Sequence, residues 1–159
     1  MMVKNGDIES AILIMKEVAK WLTNKGEPIW EINNLTKEKL LGASLSGNNF
    51  YTAWENSKPI AAMILQWHDP EFWPNIRPFE SGFIHKLCVC REYAGKGIST
   101  KMILFAETEC KIKGIKKLRL DCDGNRPKLC SFYETHGFKQ IDRKMIGIYD
   151  VVFYEKNIE

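Results

Sequence analysis

The sequence predicts an α/β fold in which helices cover a mixed sheet of the α+β type. Three patterns support this prediction. Apolar residues recur at helical spacing near the start of the chain. Two strand-like runs flank a polar turn in the middle, and short apolar runs alternate with helical patterns in the second half. A strand, a helix and a further strand of one sheet should lie parallel with a right-handed crossover. The 159 residues, 45% of them hydrophobic, are expected to form one domain spanning residues 1–159.

The chain opens with an amphipathic helix, expected over residues 8 to 25. Asp7 is a suitable N-cap and Gly26 can end the helix. The apolar face expected to be buried consists of Ile8, Ile12, Met15, Val18, Ala19 and Leu22. The stretch "LTKEKLLG" then predicts a second, short helix that ends near Gly42.

The middle of the chain predicts a β-hairpin followed by a long loop. The strands are expected near residues 49–55 and 59–67, and "ENSKP" between them supplies turn residues. Three prolines in "HDPEFWPNIRPFESG" argue against regular structure there. The run "FIHKLCVC" is almost continuously apolar, which is typical of a central strand.

The second half predicts two further helices separated and followed by strands. A helix begins at Ile98 and ends before Gly114, and "KKLRLDC" forms the next strand. The last helix is "NRPKLCSFYETHG", with Asn125 as its cap, Pro127 in its first turn and Gly137 just past its end. The stretches "FKQID" and "MIGIYDVVFYEK" are expected to be the closing strands.

Composition and charge exclude several classes of protein. A net charge of +3 is too small for a nucleic-acid footprint, and no stretch is apolar and long enough to span a membrane. Five cysteines without a secretion signal predict reduced thiols and a cytoplasmic location. Their spacings do not form a good zinc pattern, so we expect no metal site.

The glycine-rich stretch "AGKGIST" is the strongest functional signal, and three phosphate-binding motifs compete for it. The P-loop pattern fails because Gly97 follows Lys96 and because Cys90 stands where the first glycine belongs. The dinucleotide fingerprint accepts Gly95 and Gly97 but meets Thr100 at the third glycine, so a nucleotide-binding protein is a weak hypothesis. A tight turn that needs glycine for close packing is the structural alternative.

The third motif resembles the acyl-CoA loop of the GNAT N-acetyltransferase superfamily, bacterial small-domain type. That family carries [QR]-x-x-G-x-[GA] between a strand and a helix, whereas this chain has Ala94 at the first position and Ser99 at the last. The flanking "HKLCV" and "LRLDC" resemble the family's fourth and fifth strands. "NRPKLCSFYETHGF" resembles its N-x-x-[AL]-x-x-x-Y-x-x-x-GF segment, with one extra residue between Asn125 and Tyr133.

The resemblance implies a fold and an activity. The fold is the GNAT acyl-CoA N-acyltransferase fold, with a central mixed sheet and helices on both faces. The activity is transfer of an acetyl group from the co-substrate acetyl-CoA to a primary amine of a small-molecule or peptide acceptor, by direct attack. A non-catalytic acyl-CoA-binding or regulatory module on the same fold is the alternative, motivated by Ala94 and the shifted tyrosine. The oligomeric state stays open, with a homodimer among the candidates.

The resemblance also implies which residues hold the CoA. The expected contacts are the strand residues Leu87, Cys88 and Val89, the loop residues Gly95, Lys96, Gly97, Ile98 and Ser99, and the helix residues Asn125, Leu129 and Tyr133. Physical chemistry supports the loop independently, because the start of a helix offers unpaired N–H groups and a partial positive charge. Glycines let those groups approach a pyrophosphate without a Cβ in the way.

Two residues are the candidates for catalysis. Tyr133 matches the family tyrosine that would protonate the leaving thiolate, although it also fits a core aromatic face and Phe132 is a rival for its position. His85 is the candidate base for the attacking amine, because an unperturbed imidazole titrates at about pH 6.5. Glu80 and Glu31 are its rivals, and a hydrogen-bonded structural histidine is the alternative. The acceptor pocket is expected among Trp30, Trp54, Trp67, Phe72 and Trp73.

Overall fold

A computed structural model describes residues 1–42 and 44–159 of the chain. The helices are α1 (Ile8–Asn24), α2 (Lys37–Leu40), α3 (Ile98–Ile112) and α4 (Pro127–Thr135). The strands are β1 (Met2–Asn5), β2 (Phe50–Glu55), β3 (Lys58–Gln66), β4 (Gly82–Val89), β5 (Lys117–Asp123), β6 (Lys139–Ile146) and β7 (Tyr149–Asn157). They form a seven-stranded sheet in the order β1-β2-β3-β4-β5-β7-β6. The predicted mixed sheet with helices is confirmed.

Two strand pairings that the sequence predicts, a hairpin and a parallel pair, are present, and the place of β7 is added by the structure. β2 and β3 pair antiparallel around a turn in which Asn56 and Ser57 both have positive φ, which is the turn geometry that suits a two-residue hairpin. β4 and β5 pair in parallel, with Gly82 opposite Leu118 and Phe83 opposite Arg119. β7 lies between β5 and β6 and pairs antiparallel with both strands.

Three features differ from the sequence prediction. β1 was not predicted, because a four-residue strand at the start of a chain has no hydrophobic period to reveal it. The stretch "MIGIYDVVFYEK" is not one strand, since a turn at Gly147, with a φ of 61°, divides it between β6 and β7. The cap of α4 is Arg126 rather than Asn125.

The described residues divide into two compact units. The first unit contains residues Met1–Gln66 and Lys86–Ile103, and the second contains Trp67–His85 and Leu104–Glu159. In the first unit the predicted face of α1 packs with Phe50, Ala62, Ile64 and Cys88 in one core cluster. The Asp7 side chain accepts the Ser10 N–H at 3.1 Å, so the predicted N-cap of α1 is confirmed.

The core of the second unit is built around an aromatic cluster. Trp73 lies 5.8 Å from the Phe83 ring and 5.1 Å from the Phe153 ring, measured between centroids, and Val151 completes the cluster. Trp73 comes from the proline-rich loop before β4, so this cluster holds that loop against β4 and β7. None of the helices in the described part of the chain combines the length and apolar character needed to cross a membrane.

Gly82, the first residue of β4, is predicted to tolerate no side chain. A Cβ added there would lie 2.8 Å from the Cys110 Sγ, 3.1 Å from the Trp67 ring and 3.3 Å from Leu118. We expect Gly82→Ala to lower the free energy of unfolding by about 1–3 kcal/mol, because the packed neighbours must move. Urea unfolding measures this loss. Gly47→Ala is the matched control, since its Cβ meets nothing within 4 Å. Equal stability of the two variants would contradict the prediction.

Candidate active site

The glycine loop between β4 and α3 has a backbone conformation that only glycine adopts easily. Gly95 and Gly97 have φ values of 75° and 76°, and both flank the exposed Lys96. A Cβ added at either glycine would meet no atom within 4 Å. Close packing therefore does not explain these glycines. They provide a left-handed backbone turn with open space beside it.

The loop leads directly into the first turn of α3, which begins at Ile98. The Ile98 side chain is 5% exposed, so it anchors the helix start in the protein interior. Ser99 is half-buried, and the Lys96 ammonium lies 5.1 Å from the centroid of the Tyr93 ring. The first N–H groups of a helix lack partners within the helix and carry a partial positive charge. This arrangement suits a phosphate group.

The end of β4 offers backbone rather than reactive side chains. Lys86 has a φ of 51°, which is unusual for a residue with a side chain and marks a distortion of the strand. Leu87 and Val89 are half-buried, and the Cys88 side chain lies in the core of the first unit. Burial raises the pKa of the Cys88 thiol, and it raises the pKa of the Cys90 thiol to about 11. Neither cysteine is therefore a ready nucleophile.

On α4, Tyr133 and Phe132 occupy different environments. Tyr133 is 8% exposed, and its ring lies 5.8 Å from that of Phe138 and 6.3 Å from that of Tyr154. Phe132 is only half-buried and stacks 4.3 Å from the His136 ring. The predicted apolar face is therefore only partly buried, with Tyr133 as its innermost member.

The start of α4 is organised by an aspartate that the sequence prediction overlooked. The Asp123 carboxylate accepts the Asn125 N–H at 2.9 Å, which is the pattern of an Asx turn. The exposed Asn125 side chain is thus not used as a helix cap, and the prediction that it caps α4 is wrong. Leu129 lies further along α4 and is half-buried.

His85 has two carboxylates beside it in the second unit. Its Nε2 atom lies 3.1 Å from Oδ2 of Asp69, in a contact that is close but not aligned as a hydrogen bond. Asp69 is 3% exposed, and its other oxygen accepts the Phe72 N–H at 3.2 Å. Asp121 on β5 accepts the indole N–H of Trp73 at 3.2 Å. Ligand atoms of Asp69, His85 and Asp121 all lie within 4.8 Å of one another. We call these three residues the His85 cluster.

The two carboxylates of the His85 cluster have opposite pKa shifts. Burial acts to raise the pKa of Asp69, but contact with His85 and two backbone N–H groups outweighs it and holds the pKa below its usual range. Burial raises the pKa of Asp121, and the charge of Asp69 adds to this shift. Environments that separate the pKa values of neighbouring groups are typical of acid–base sites.

The rivals of His85 lie in plainer surroundings. The Glu80 carboxylate is paired with Arg77 at 3.3 Å, and this hydrogen bonding lowers the pKa of Glu80. Glu31 is exposed. The Glu80 carboxylate is therefore not set up to hold a proton near neutral pH. Asp69 and Asp121 were missed because a loop aspartate and a strand aspartate carry no common sequence pattern. A charged residue inside the apolar run "LRLDC" was the one available signal.

The aromatic residues expected around an acceptor pocket are divided between the units. Trp30 lies beneath the Lys86 ammonium at 4.9 Å, and the Trp54 indole donates to Thr52 at 2.8 Å. Trp67 lies beneath the Lys113 ammonium at 5.0 Å. In the second unit, the Trp73 indole donates to Asp121 of the His85 cluster, and the Phe72 backbone N–H donates to Asp69 of the same cluster.

Comparison with known proteins identifies the class of fold and then the family. The chain has the fold of a GNAT protein from Listeria monocytogenes 4b F2365, with a TM-score of 0.76 and 21% identity over 98% of this chain and 94% of that one. A PaiA N-acetyltransferase from Thermoplasma acidophilum, solved with coenzyme A, gives a TM-score of 0.70 and 24% identity over 99% of both chains.

The profile of the acetyltransferase (GNAT) family matches residues 15–138. The chain belongs to this family and is an acetyltransferase. The uncharacterized N-acetyltransferase YesJ of Bacillus subtilis (strain 168) is 26% identical over 160 residues, which cover 96% of this chain and 86% of that protein. N-alpha-acetyltransferase 30 of Schizosaccharomyces pombe is 29% identical over 93 residues, covering 58% of this chain and 59% of that protein.

Proposed function

We propose that this acetyltransferase moves the acetyl group of acetyl-CoA to a primary amine by direct attack. The observation that carries the proposal is the left-handed glycine loop with open space at the start of α3. Its backbone N–H groups and Lys96 are suited to the pyrophosphate of CoA. A family relative of known structure contains coenzyme A, which supports the choice of donor. The small-molecule or peptide acceptor carries the amine.

In this proposal the backbone of Leu87, Cys88 and Val89 pairs with the amide groups of the CoA arm. A backbone N–H of this segment polarises the thioester carbonyl, and such a donor contributes about 3–4 kcal/mol to transition-state stabilisation. Asn125 and Leu129 contact the same arm. When bound, acetyl-CoA supplies an activated acetyl group on a thiolate leaving group.

Two side chains move protons in this proposal. The amine attacks only when it is neutral, so His85 accepts its proton as the carbon–nitrogen bond forms. The carbon–sulfur bond then breaks, and Tyr133 donates its hydroxyl proton to the departing thiolate. The burial of Tyr133 against Phe138 and Tyr154 supports this role by fixing the direction of the hydroxyl.

A ligand comparison followed by a turnover assay tests the proposal. We expect acetyl-CoA and CoA to raise the Tm, because a ligand that binds the native state stabilises it, and we expect ATP and NAD to leave it unchanged. Free thiol should then appear when acetyl-CoA meets an amine. The amine panel contains a peptide with a free alanine N-terminus, a peptide whose only amine is a lysine side chain, and a small diamine. CoA binding without turnover on any amine would favour the non-catalytic alternative.

Gly97→Ala is predicted to weaken acetyl-CoA binding. The φ of 76° at Gly97 costs an alanine about 1–2 kcal/mol, and relief of that strain turns the N–H groups away from the phosphate site. We therefore expect the Kd for acetyl-CoA to rise by about tenfold, measured by calorimetry.

Gly114→Ala is the matched control for this prediction. Gly114 has a φ of 70° and equally open surroundings, but it lies past the opposite end of α3. Both variants should lose similar stability, and only Gly97→Ala should lose affinity. Equal affinities for acetyl-CoA in the two variants would remove the glycine loop from the binding site.

A further inference from the structure

We propose that Asp69 and Asp121 are positioning residues that hold the His85 ring in the tautomer and orientation needed to take the proton of the acceptor amine. This inference deepens the proposed acetyl transfer and rests on it. It adds two residues that no sequence motif of the chain marks. All three residues belong to the second unit, and their contacts are described there.

The contact between Asp69 and His85 determines the tautomer. The low pKa of Asp69 keeps its carboxylate ionised near neutral pH, and an ionised carboxylate only accepts hydrogen bonds. A bare Nε2 lone pair 3.1 Å from that oxygen would be repelled, so Nε2 carries the proton. Neutral His85 therefore keeps its lone pair on Nδ1, which is the atom available to the amine. Contacts that are poorly aligned without substrate commonly tighten when substrate binds.

The sheet and the aromatic cluster hold both carboxylates in place. Gly82 is paired with Leu118, so His85 and Asp121 each lie three residues further along the parallel strands β4 and β5. The Trp73 indole, 7% exposed, donates to Asp121 and so fixes the direction of that carboxylate. Asp69 accepts N–H groups at the start of the loop that contains Trp73. The three side chains are thus supported by packed elements.

Charged groups face His85 from two elements packed beside it. Asp69 faces it from the loop before β4 and Asp121 from β5, while Glu71 of the same loop acts on Asp121. The His85 side chain is 20% exposed, which leaves a route for the proton to reach water. Each turnover therefore takes a proton at Nδ1 and returns it to solvent.

A bound divalent cation is the competing occupant of the His85 cluster. Three ligand atoms within 4.8 Å of one another also suit a cation. The contacts favour the network, because each carboxylate already accepts an N–H from its surroundings, from Phe72 for Asp69 and from Trp73 for Asp121. The experiment below therefore includes a metal arm.

The first measurement uses the unmodified protein. Imidazole ¹⁵N NMR at about pH 8 reports the tautomer of each of the 3 histidines, and the signal lost in His85→Gln assigns His85. We expect a protonated Nε2 and a bare Nδ1. A His85 ring protonated on Nδ1 would overturn the proposal. This measurement uses no variant with a substituted carboxylate, so it does not depend on whether such a variant folds.

The second measurement compares kcat and KM of carboxylate variants with the amine that gives turnover. We expect Asp69→Asn to lower kcat by at least about tenfold with little change in KM, because the His85 ring loses the carboxylate that fixes its tautomer. Asp121→Asn should lower kcat in the same way. Asp142→Asn, the same change on the exposed surface of β6, should leave kcat unchanged. In a His85→Gln background, Asp69→Asn should have no further effect, because it acts through His85.

The following outcomes would contradict the proposal. If Asp69→Asn lowers activity equally with and without His85, or raises KM while leaving kcat unchanged, Asp69 is not a positioning residue for His85. Loss of turnover in EDTA with recovery on adding Zn²⁺ or Mn²⁺ would assign the His85 cluster to a cation and overturn the proposal. If the unmodified protein neither binds acetyl-CoA nor acetylates any amine of the panel, the proposed function fails and this inference fails with it. Turnover that is indifferent to Asp69→Asn overturns the inference alone.

Discussion

Replacing Tyr133 with phenylalanine is expected to lower kcat by about 10²–10⁴-fold while leaving the Kd for acetyl-CoA almost unchanged. The substitution removes only the hydroxyl that we propose protonates the leaving thiolate. The ring keeps its packing against Phe138 and Tyr154, so the free energy of unfolding should change by about 1 kcal/mol. Single-turnover kinetics and calorimetry separate the chemical step from binding.

The controls for this prediction are two other aromatic residues. Tyr149→Phe makes the same change at an exposed position of β7 and should leave kcat within about twofold. Phe132→Tyr in a Tyr133→Phe background tests the rival position one residue earlier on α4. Recovery of activity in that double variant would show that the proton donor acts from position 132. A Tyr133→Phe enzyme that keeps full turnover would show that another group, such as water, protonates the thiolate.

Replacing Arg119 with alanine is expected to lower the free energy of unfolding by about 1–3 kcal/mol, because it removes a nearly buried cation that pairs with Glu155 and donates to the buried Ser81 hydroxyl. The Arg119 guanidinium is 8% exposed and lies 2.8 Å from the Glu155 carboxylate on the neighbouring strand β7. It also donates to the Ser81 hydroxyl at 2.6 Å, and Ser81 is fully buried. Loss of this side chain therefore removes the donor to the Ser81 hydroxyl and leaves Glu155 with Lys117, at 2.7 Å, as its remaining cation. Urea unfolding with an unchanged m-value measures the loss.

Arg77→Ala is the matched control for Arg119→Ala. Arg77 pairs with Glu80 at 3.3 Å, but its side chain is 88% exposed, so its loss should cost less than about 1 kcal/mol. Similar losses for the two variants would contradict the role given to burial. Recovery of stability in a double variant with Arg119→Met and Glu155→Leu would attribute the loss to the Arg119–Glu155 pair rather than to Ser81.

The Glu155 pair also predicts how stability depends on pH. Burial acts to raise the pKa of Glu155, but hydrogen bonds from Lys117 and Arg119 outweigh it and lower the pKa in the folded state. A glutamate whose pKa is lowered in the folded state stabilises the protein at pH values above its ordinary pKa of about 4.3. That stability is lost as the pH falls through the lower pKa that Glu155 has in the folded state. The free energy of unfolding of Arg119→Ala should therefore fall less steeply below about pH 5, because Glu155 contributes less stability in this variant.

The order of helices and strands was predictable because the signals are local. Asp7 caps α1, Gly114 follows α3 and Gly137 follows α4 with a φ of 88°, each as the sequence predicts. The exceptions have local reasons as well. Asp123 forms a turn that takes the Asn125 N–H, so Asn125 does not act as the cap. The dipeptide Gly147–Ile148 makes a turn inside an apolar run that has no polar residue to mark it.

The candidate site was predictable only in part. The family pattern identified the glycine loop, and the structure explains its glycines by positive φ and open space rather than by close packing. His85 was a candidate because of its residue type, and the pattern also identified Tyr133. It could not identify Asp69 and Asp121, because nothing in the spacing of those residues connects them with His85. The environments of Phe132 and Tyr133 likewise could not be predicted, because only the tertiary structure places the Tyr133 ring beside Phe138 and Tyr154.

The sequence by itself determined the order of the helices, which stretch carries the glycine loop, and which family the chain resembles. These depend on hydrophobic period, capping and turn residues, all of which act over a few neighbouring positions. Only the tertiary structure brought Asp69, His85 and Asp121 within 4.8 Å of one another and joined Arg119 to Ser81 and Glu155. Those contacts exist because a proline-rich loop folds back on a parallel strand pair, and no local rule encodes the register of strands distant in the chain.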